Sequence, residues 1–215
     1  MQQAPEKVNT LITTILDTDQ IWDTTLLTVD NLLSMIKLQN GKQAIEKFVS
    51  QKSWFNHNSA CEKSFYQFIS DLIQVDNAHD GDAAQILSLC CKAAKQCNSF
   101  PVHKWNIIYS IPCHDYSIIF CCSILDMAVR KRNNNCVRIL LEEDHADPNI
   151  KVESNYSDKD YNYPLKSLLH EKPLQPSNIE LFKLLLKHGA TLDITESNNT
   201  YYAKKYKAFI EATKK

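Results

Sequence analysis

Glycine is scarce in this chain of 215 residues, which has only three, at positions 41, 81 and 189. Phosphate-binding loops such as GxGxxG and GxxxxGKS need closely spaced glycines, because the backbone must approach the phosphate. The three glycines are too far apart to form either motif. The sequence therefore lacks the commonest nucleotide-binding fingerprints, and we expect no cofactor.

The chain also lacks a charge excess and a long apolar run. Lys and Arg total 24 against 25 Asp and Glu, whereas a nucleic-acid-binding protein usually carries a basic excess. The basic clusters at 130–132 and 204–205 are short and typical of a solvated helix face. No segment approaches the roughly 18 consecutive apolar residues of a membrane helix. We therefore expect neither nucleic-acid binding nor membrane insertion.

The first residues, Met1–Lys7, lack a basic region followed by an apolar core, so no classical export signal is predicted. In such a chain, free buried thiols in a reducing compartment are a better interpretation than disulfides. This interpretation predicts a cytoplasmic location. The eight cysteines are at positions 61, 90, 91, 97, 113, 121, 122 and 136.

Cysteines serve in two kinds of chemical site, as zinc ligands and as nucleophiles. The adjacent pairs 90–91 and 121–122 are too close to serve as zinc ligand pairs, so no metal site is predicted. A thiol nucleophile needs a neighbouring imidazole or positive field, and Cys97, His103, Cys113, His114 and Asp115 are close in sequence. No local cysteine-protease signature surrounds any cysteine. We expect no enzyme activity, with a cysteine-dependent hydrolase left as the alternative.

Helical periodicity dominates the first part of the chain. Val8, Ile12 and Ile15 begin a series of apolar residues at steps of three and four, which predicts an amphipathic helix. Similar series follow, and residues 1–80 are predicted to form an N-terminal helical region. The segment 200–213 repeats this pattern with lysines between aromatic residues, as expected of a terminal capping helix.

The stretch from Ser123 to Asp193 contains the same order of segments twice. Each copy has a short apolar segment, a second apolar segment and a turn. The first copy consists of Ser123–Ala128, Val137–Leu141 and Ala146–Asn149. The second consists of Tyr163–Leu168, Leu181–Leu186 and His188–Asp193.

These copies resemble ankyrin repeats, whose pattern is T-P-L-H-x-A, then a V-x-x-L-L helix, then G-A-D-x-N. Leu125 and Leu165 match the Leu of the first helix, and Ala128 and Leu168 match its Ala. The pairs 140–141 and 184–185 match the second-helix leucines. The sequence departs from the pattern where Ile124 replaces the Pro, where Asp126 and Lys166 replace the His, and where Asp144-His145 stands in place of one Gly.

The resemblance implies an all-α fold, in which the N-terminal helical region is followed by an irregular ankyrin-like helical repeat stack over 81–215. Leu125, Ala128, Leu140, Leu141, Leu165, Leu184 and Leu185 are expected to form one buried core. Residues 82–114 are either a third, degenerate unit or no repeat at all. In such stacks, each unit buries its apolar face against its neighbours and leaves the concave side and fingers exposed.

Residues 151–162 lie where an ankyrin fold places its β-turn finger, but the segment is longer than a turn. Its tyrosines favour an interface, since tyrosine supplies contact area at low entropic cost. A tolerated surface loop is the alternative. The partner-binding residues predicted on this segment and on the first helices are Asp126, Arg130, Tyr156, Asp158, Asp160, Tyr161, Tyr163, Lys166 and His170.

The function that the resemblance implies is binding of another protein without catalysis. One alternative is an enzyme whose N-terminal helical region carries catalysis, with the repeats as a targeting module. Another is a structural subunit of a larger assembly. Resemblance to ankyrin effectors of intracellular bacteria and poxviruses suggests a host-directed effector, which would be secreted into the host cell cytosol.

Overall fold

The computed structural model describes nine stretches of the chain. They are 3–18, 28–50, 60–75, 80–96, 106–113, 116–153, 161–171, 174–192 and 200–214. Within them, side chains are described except at 3–5, 60–64, 66, 80, 106–113, 116–121, 153, 161–162, 171 and 200. The fold is mostly helical, as predicted, and two short antiparallel hairpins are added to the helices.

The chain divides into two compact units, Met1–Val102 and His103–Lys215. The sequence analysis placed a domain boundary after residue 80, which would assign the helix over 80–96 to the repeats. That helix lies in the first unit. The assignment of the two parts as separate domains stays a prediction.

The first unit is built from helices. They are α1 (Gln3–Asp17), α2 (Val29–Met35), α3 (Gly41–Val49), α4 (Ala60–Ile73) and α5 (Asp80–Gln96). Helices α1 and α5 both contact α3, and α2 contacts α1, α3, α4 and α5. Their shared core includes the buried side chains of Ile15, Met35, Ile45, Leu72 and Ile86. Val8, Ile12 and Ile15 are all buried, which confirms the predicted apolar face of the first helix.

Two local contacts fix this arrangement. Lys47 on α3 donates from Nζ to the carbonyl oxygen of Leu16, 2.8 Å away, at the last turn of α1, where a cation is favoured. Gly41 begins α3, and a Cβ there would clash with the carbonyl oxygen of Met35. Only glycine fits at this close approach, which explains one of the three glycines of the chain.

The second unit combines two hairpins with paired helices. Strands β1 (Asn106–Cys113) and β2 (Tyr116–Ser123) pair antiparallel, and β2 leads directly into α6 (Ile124–Lys131), which is followed by α7 (Asn134–Glu142). Strands β3 (Val152–Glu153) and β4 (Tyr161–Asn162) also pair antiparallel, ahead of α8 (Pro164–Glu171) and α9 (Pro176–Lys187). Helix α10 (Thr200–Ala212) follows.

Helix packing in the second unit follows the order of the repeats. Helix α6 contacts α7 and α8, while α8 contacts α9 and α10. Six of the seven side chains of the predicted core are buried: Leu125, Ala128, Leu140, Leu141, Leu165 and Leu185. The seventh, Leu184, is only half-buried, so the core prediction is wrong at that position.

Capping side chains set the helix starts. Ser123 accepts a hydrogen bond from the backbone N–H of Asp126, 3.1 Å away, and so caps α6. Asn133 accepts from the N–H of Cys136 at 3.1 Å and caps α7. Each satisfies one of the free amides that a helix start leaves.

The hairpin excludes a third helical repeat at 82–114. Residues 106–113 form strand β1, and their partners are residues 116–123 of β2. The region therefore has a strand where a second helix would be needed. Of the two alternatives left open for residues 82–114, the structure therefore supports the one without a third repeat. The sequence could not decide between them, because an apolar run of this length suits a strand as well as a helix.

Candidate partner-binding surface

Two consecutive hairpin–helix–helix units form the frame of the candidate surface. Strands β1 and β2 precede α6 and α7, and strands β3 and β4 precede α8 and α9. The two hairpins are neighbours, because β2 contacts β3. The two first helices are also neighbours, because α6 contacts α8. The hairpin of one unit therefore lies next to the hairpin of the other, and the first helix of one unit lies next to the first helix of the other.

The closing turns of the two units are joined by Asn149. Its side-chain Nδ2 donates to the carbonyl oxygen of Gly189 at 2.9 Å. Its Oδ1 accepts from the backbone N–H of Thr191 at 2.8 Å and from the Thr191 hydroxyl at 3.1 Å. Asp147 Oδ1 in turn accepts from the N–H of Asn149 at 2.8 Å. This bridge fixes the spacing between the units.

Asp126 is buried, although it was predicted to contact a partner. It has 0% exposure, and its Oδ2 accepts from Nε of Arg130 at 3.1 Å. Arg130 also donates from Nη2 to the hydroxyl of Ser167 on α8, 2.7 Å away. Asp126 thus holds the guanidinium that joins α6 to α8. The prediction that it lies on an exposed surface is wrong, because the face of α6 that carries it is covered.

The other residues that were predicted to contact a partner differ in how far they are exposed. His170 is exposed, Lys166 is half-buried, and the Arg130 side chain retains 16% exposure. Tyr163 is buried with 3% exposure, so the prediction that it is exposed to a partner is also wrong. Tyr161 lies in β4, but its side chain is outside the described set. Tyr156, Asp158 and Asp160 lie outside the described residues.

An aromatic and basic cluster at the α8–α10 contact was not found from the sequence. Tyr201 donates from its hydroxyl, and Lys205 from Nζ, to the carbonyl oxygen of His170, both at 3.4 Å. Lys205 Nζ lies 4.9 Å from the centre of the Tyr201 ring. The rings of His170 and Tyr202 are 6.1 Å apart. Helical spacing within 200–213 was the only available signal, and it does not identify the helix against which α10 packs.

The second helices of the two repeats, α7 and α9, line an open groove on a different side of the second unit from the first helices. Lys187 Nζ lies 3.3 Å from Glu142 Oε1, and Arg138 Nη2 lies 4.0 Å from Glu180 Oε1. These pairs join α7 to α9, and Leu184 lines the groove between them. This explains why Leu184 is half-buried, since it faces the groove rather than the core. Exposed pairs of this kind add little stability.

The described cysteines are packed rather than poised for chemistry. Cys90, Cys91, Cys122 and Cys136 are buried and form no disulfide, and burial raises the pKa of the Cys90 thiol. A raised pKa leaves little thiolate, which is the nucleophilic form. The side chains of Cys97, His103, Cys113, His114 and Asp115 lie outside the described set.

The described residues contain no group of three His, Cys, Asp or Glu side chains arranged to hold a metal ion. None of the helices formed by these residues is long and apolar enough to cross a bilayer.

Comparison with known families gives a match to the first of the two hairpin–helix–helix units. No curated protein and no solved structure matches the chain. The match begins at the end of β2, includes α6, α7 and the closing turn with Asn149, and ends in β3. Residues 121–152 match the family model of the ankyrin repeat, which confirms the resemblance inferred from the sequence.

Proposed function

We propose that the second unit binds a partner protein through the side formed by its hairpins and first helices. The observation that carries the proposal is the succession of two hairpin–helix–helix units, joined by Asn149, of which the first matches the ankyrin repeat. Ankyrin repeats bind other proteins, and solenoids of this kind use an extended surface formed by neighbouring units.

The predicted contribution of the 151–162 segment belongs to this proposal. Its ends are held by the strand pairs Val152–Asn162 and Glu153–Tyr161. A segment held at both ends can present its side chains to a partner with a smaller loss of entropy on binding. Arg130, Lys166 and His170 extend the proposed surface over the first helices.

Replacement of residues 154–160 by Asn-Gly tests this proposal. A two-residue turn suits a hairpin, so the β3–β4 pairing can be kept while the tip is removed. Partners would be captured from eukaryotic lysate with the intact chain, identified, purified and titrated. We expect the replacement to weaken binding at least about tenfold, because interface aromatic residues often dominate affinity. Thermal stability should be nearly unchanged.

A matched control is Arg138→Ala on α7, which alters the other side of the unit. It should leave the affinity of the same partner unchanged. If no captured protein loses affinity on the loop replacement or on Lys166→Ala with His170→Ala, the partner surface is elsewhere. The N-terminal helical region would then be the better candidate.

We further propose a cytosolic setting, supported by four buried cysteines that form no disulfide. The role of a host-directed effector rests on the resemblance alone. A translocation reporter fused to the chain, expressed in a bacterium that injects effectors into cultured cells, would test it. Reporter signal in the host cytosol is expected. Signal confined to the bacterium would contradict the role of a bacterial effector.

A further inference from the structure

Basic residues are concentrated on the helices α6, α8 and α10. These three helices contain six Lys or Arg residues and three Asp or Glu residues, although the whole chain has a net charge of −1. The basic residues are Arg130, Lys131, Lys166, Lys204, Lys205 and Lys207. The acidic residues are Asp126, Glu171 and Glu211.

The contacts between the helices place part of this charge together. Arg130 reaches across from α6 to Ser167, the residue next to Lys166 on α8. Lys166 and His170 are one helical turn apart and so lie on the same side of α8. Lys205 reaches from α10 to the carbonyl oxygen of His170. Lys166, His170 and Lys205, together with Tyr201, are called the basic row below.

Arg130 contributes less net charge to this surface than the lysines do. Its guanidinium is paired with the buried carboxylate of Asp126, so its main effect is to hold α6 against α8. The formal positive charges of the basic row are those of Lys166 and Lys205.

Tyr201 supplies a contact of a different kind. Its side chain is 48% exposed and is one of two large apolar side chains among the described residues that are about half exposed. Lys205 lies over its ring, and the Tyr202 ring is 5.4 Å away with its edge toward it. The hydroxyl is held by the carbonyl of His170. A fixed, exposed aromatic ring provides contact area at low entropic cost, as in binding sites that use tyrosine anchors.

We propose that the basic row binds an acidic segment of the partner protein, with Tyr201 as the aromatic contact and Lys166 and Lys205 facing the carboxylates. This inference rests on the proposed function, because it names the chemistry of the partner for that surface. It also assigns α10 a part in recognition in addition to its contacts with α8 and α9. Charge complementarity supports the choice, since opposite potentials across an interface give specificity and speed association.

The test is selection of random twelve-residue peptides displayed on phage, with the full chain as bait. We expect the selected peptides to be enriched in Asp and Glu. The tightest peptides, synthesised with a fluorophore, would then be titrated by anisotropy. Lys166→Glu with Lys205→Glu should weaken binding at least about tenfold, and Lys166→Gln with Lys205→Gln less, because like charges across an interface are repulsive. Binding by the native chain should weaken as salt rises to about 0.5 M.

Lys183→Glu with Lys187→Glu on α9 is the matched control, since it makes the same change in net charge outside the basic row. It should leave peptide affinity unchanged, and circular dichroism would verify that all variants fold. Tyr201→Ala should weaken binding without abolishing the salt dependence.

Three results would overturn the inference. They are selected peptides without acidic enrichment, equal losses in the α9 control, and a single-stranded oligonucleotide that binds as tightly as the peptides and displaces them. The loop replacement under the proposed function removes only the hairpin tip. If that replacement abolishes binding of a protein partner and any of these three results is also obtained, the proposed function stands. Only the inference of an acidic segment is then rejected.

Discussion

His145 occupies a backbone conformation that usually belongs to glycine. Its φ is 58°, and Gly189 at the matching place in the second unit has a φ of 87°. Both residues immediately precede the alanine of a closing turn. The sequence pattern has Asp144-His145 where one Gly is expected, and the structure shows that His145 alone takes the left-handed position.

Replacement His145→Gly should therefore stabilise the second unit. A side chain in the left-handed region is strained, and His145 is exposed, so we expect a gain of about 0.5–1 kcal/mol. Gly189→Ala should lower stability by about 1 kcal/mol, although a Cβ there would meet nothing within 4 Å. Urea unfolding followed by circular dichroism measures both. A lower urea midpoint for His145→Gly than for the native protein would show that the imidazole stabilises the unit by more than the left-handed backbone conformation destabilises it.

The adjacent leucines 184 and 185 should respond differently to truncation. Leu185 has 0% exposure, whereas Leu184 lines the groove between α7 and α9. Leu185→Ala should cost about 2–5 kcal/mol, because it leaves a cavity in the core. Leu184→Ala should cost about 1 kcal/mol or less. The same denaturation assay decides between them, and equal losses would contradict the packing of α9 described above.

Asn149 offers a graded test of the contact between the closing turns. Asn149→Ala removes one donated and two accepted hydrogen bonds to the second turn. We expect a loss of about 1.5–2 kcal/mol, at the lower limit for three hydrogen bonds of about 0.5–1.5 kcal/mol each, because all three are exposed to solvent. Asn149→Asp keeps the accepting oxygen and loses the donor to Gly189. Its midpoint in urea should therefore fall between that of the native protein and that of Asn149→Ala. Equal stability of all three proteins would show that this bridge does not hold the turns together.

Helices of the second unit could be predicted better than its strands. Apolar residues at helical spacing locate α6, α7, α8 and α9 within a few residues. Strand β1 was not predicted, because Ile107 and Ile108 fit a helix as well as a strand. The decisive partner of Asn106 is Ser123, 17 positions later, and no local pattern reports such a pairing. The finger position of 151–162 was predicted from the repeat order, and the β3–β4 pairing agrees with it.

The surface residues show the same limit. First-helix positions led to the prediction of Asp126, Lys166 and His170, but position on a helix does not determine burial. His170 is exposed and Lys166 half-buried, whereas Asp126 is buried. The contacts of Tyr201 and Lys205 were not predicted, because they join α10 to α8, more than thirty residues earlier in the chain. The burial of Asp126 and the cluster around Tyr201 both depend on contacts between segments that are far apart in the sequence.

All eight cysteines of the whole molecule are expected to be reduced. Intact mass spectrometry after denaturing alkylation, without a reductant, should show eight adducts. In the native protein the buried thiols at positions 90, 91, 122 and 136 should be protected, because burial limits access and a raised pKa leaves little thiolate at Cys90. Each disulfide would lower the number of adducts by two. Rapid native labelling of Cys90 would contradict its burial.

The paired ends of the second hairpin have a consequence for how this protein can change over generations. Because Val152 pairs with Asn162 and Glu153 with Tyr161, residues 154–160 start and finish at strands held next to each other. Substitutions and length changes between these strands cost little chain entropy and leave the leucine core and the Asn149 bridge untouched. Natural selection for a new partner can therefore act on residues 154–160 separately from selection for a stably folded repeat stack.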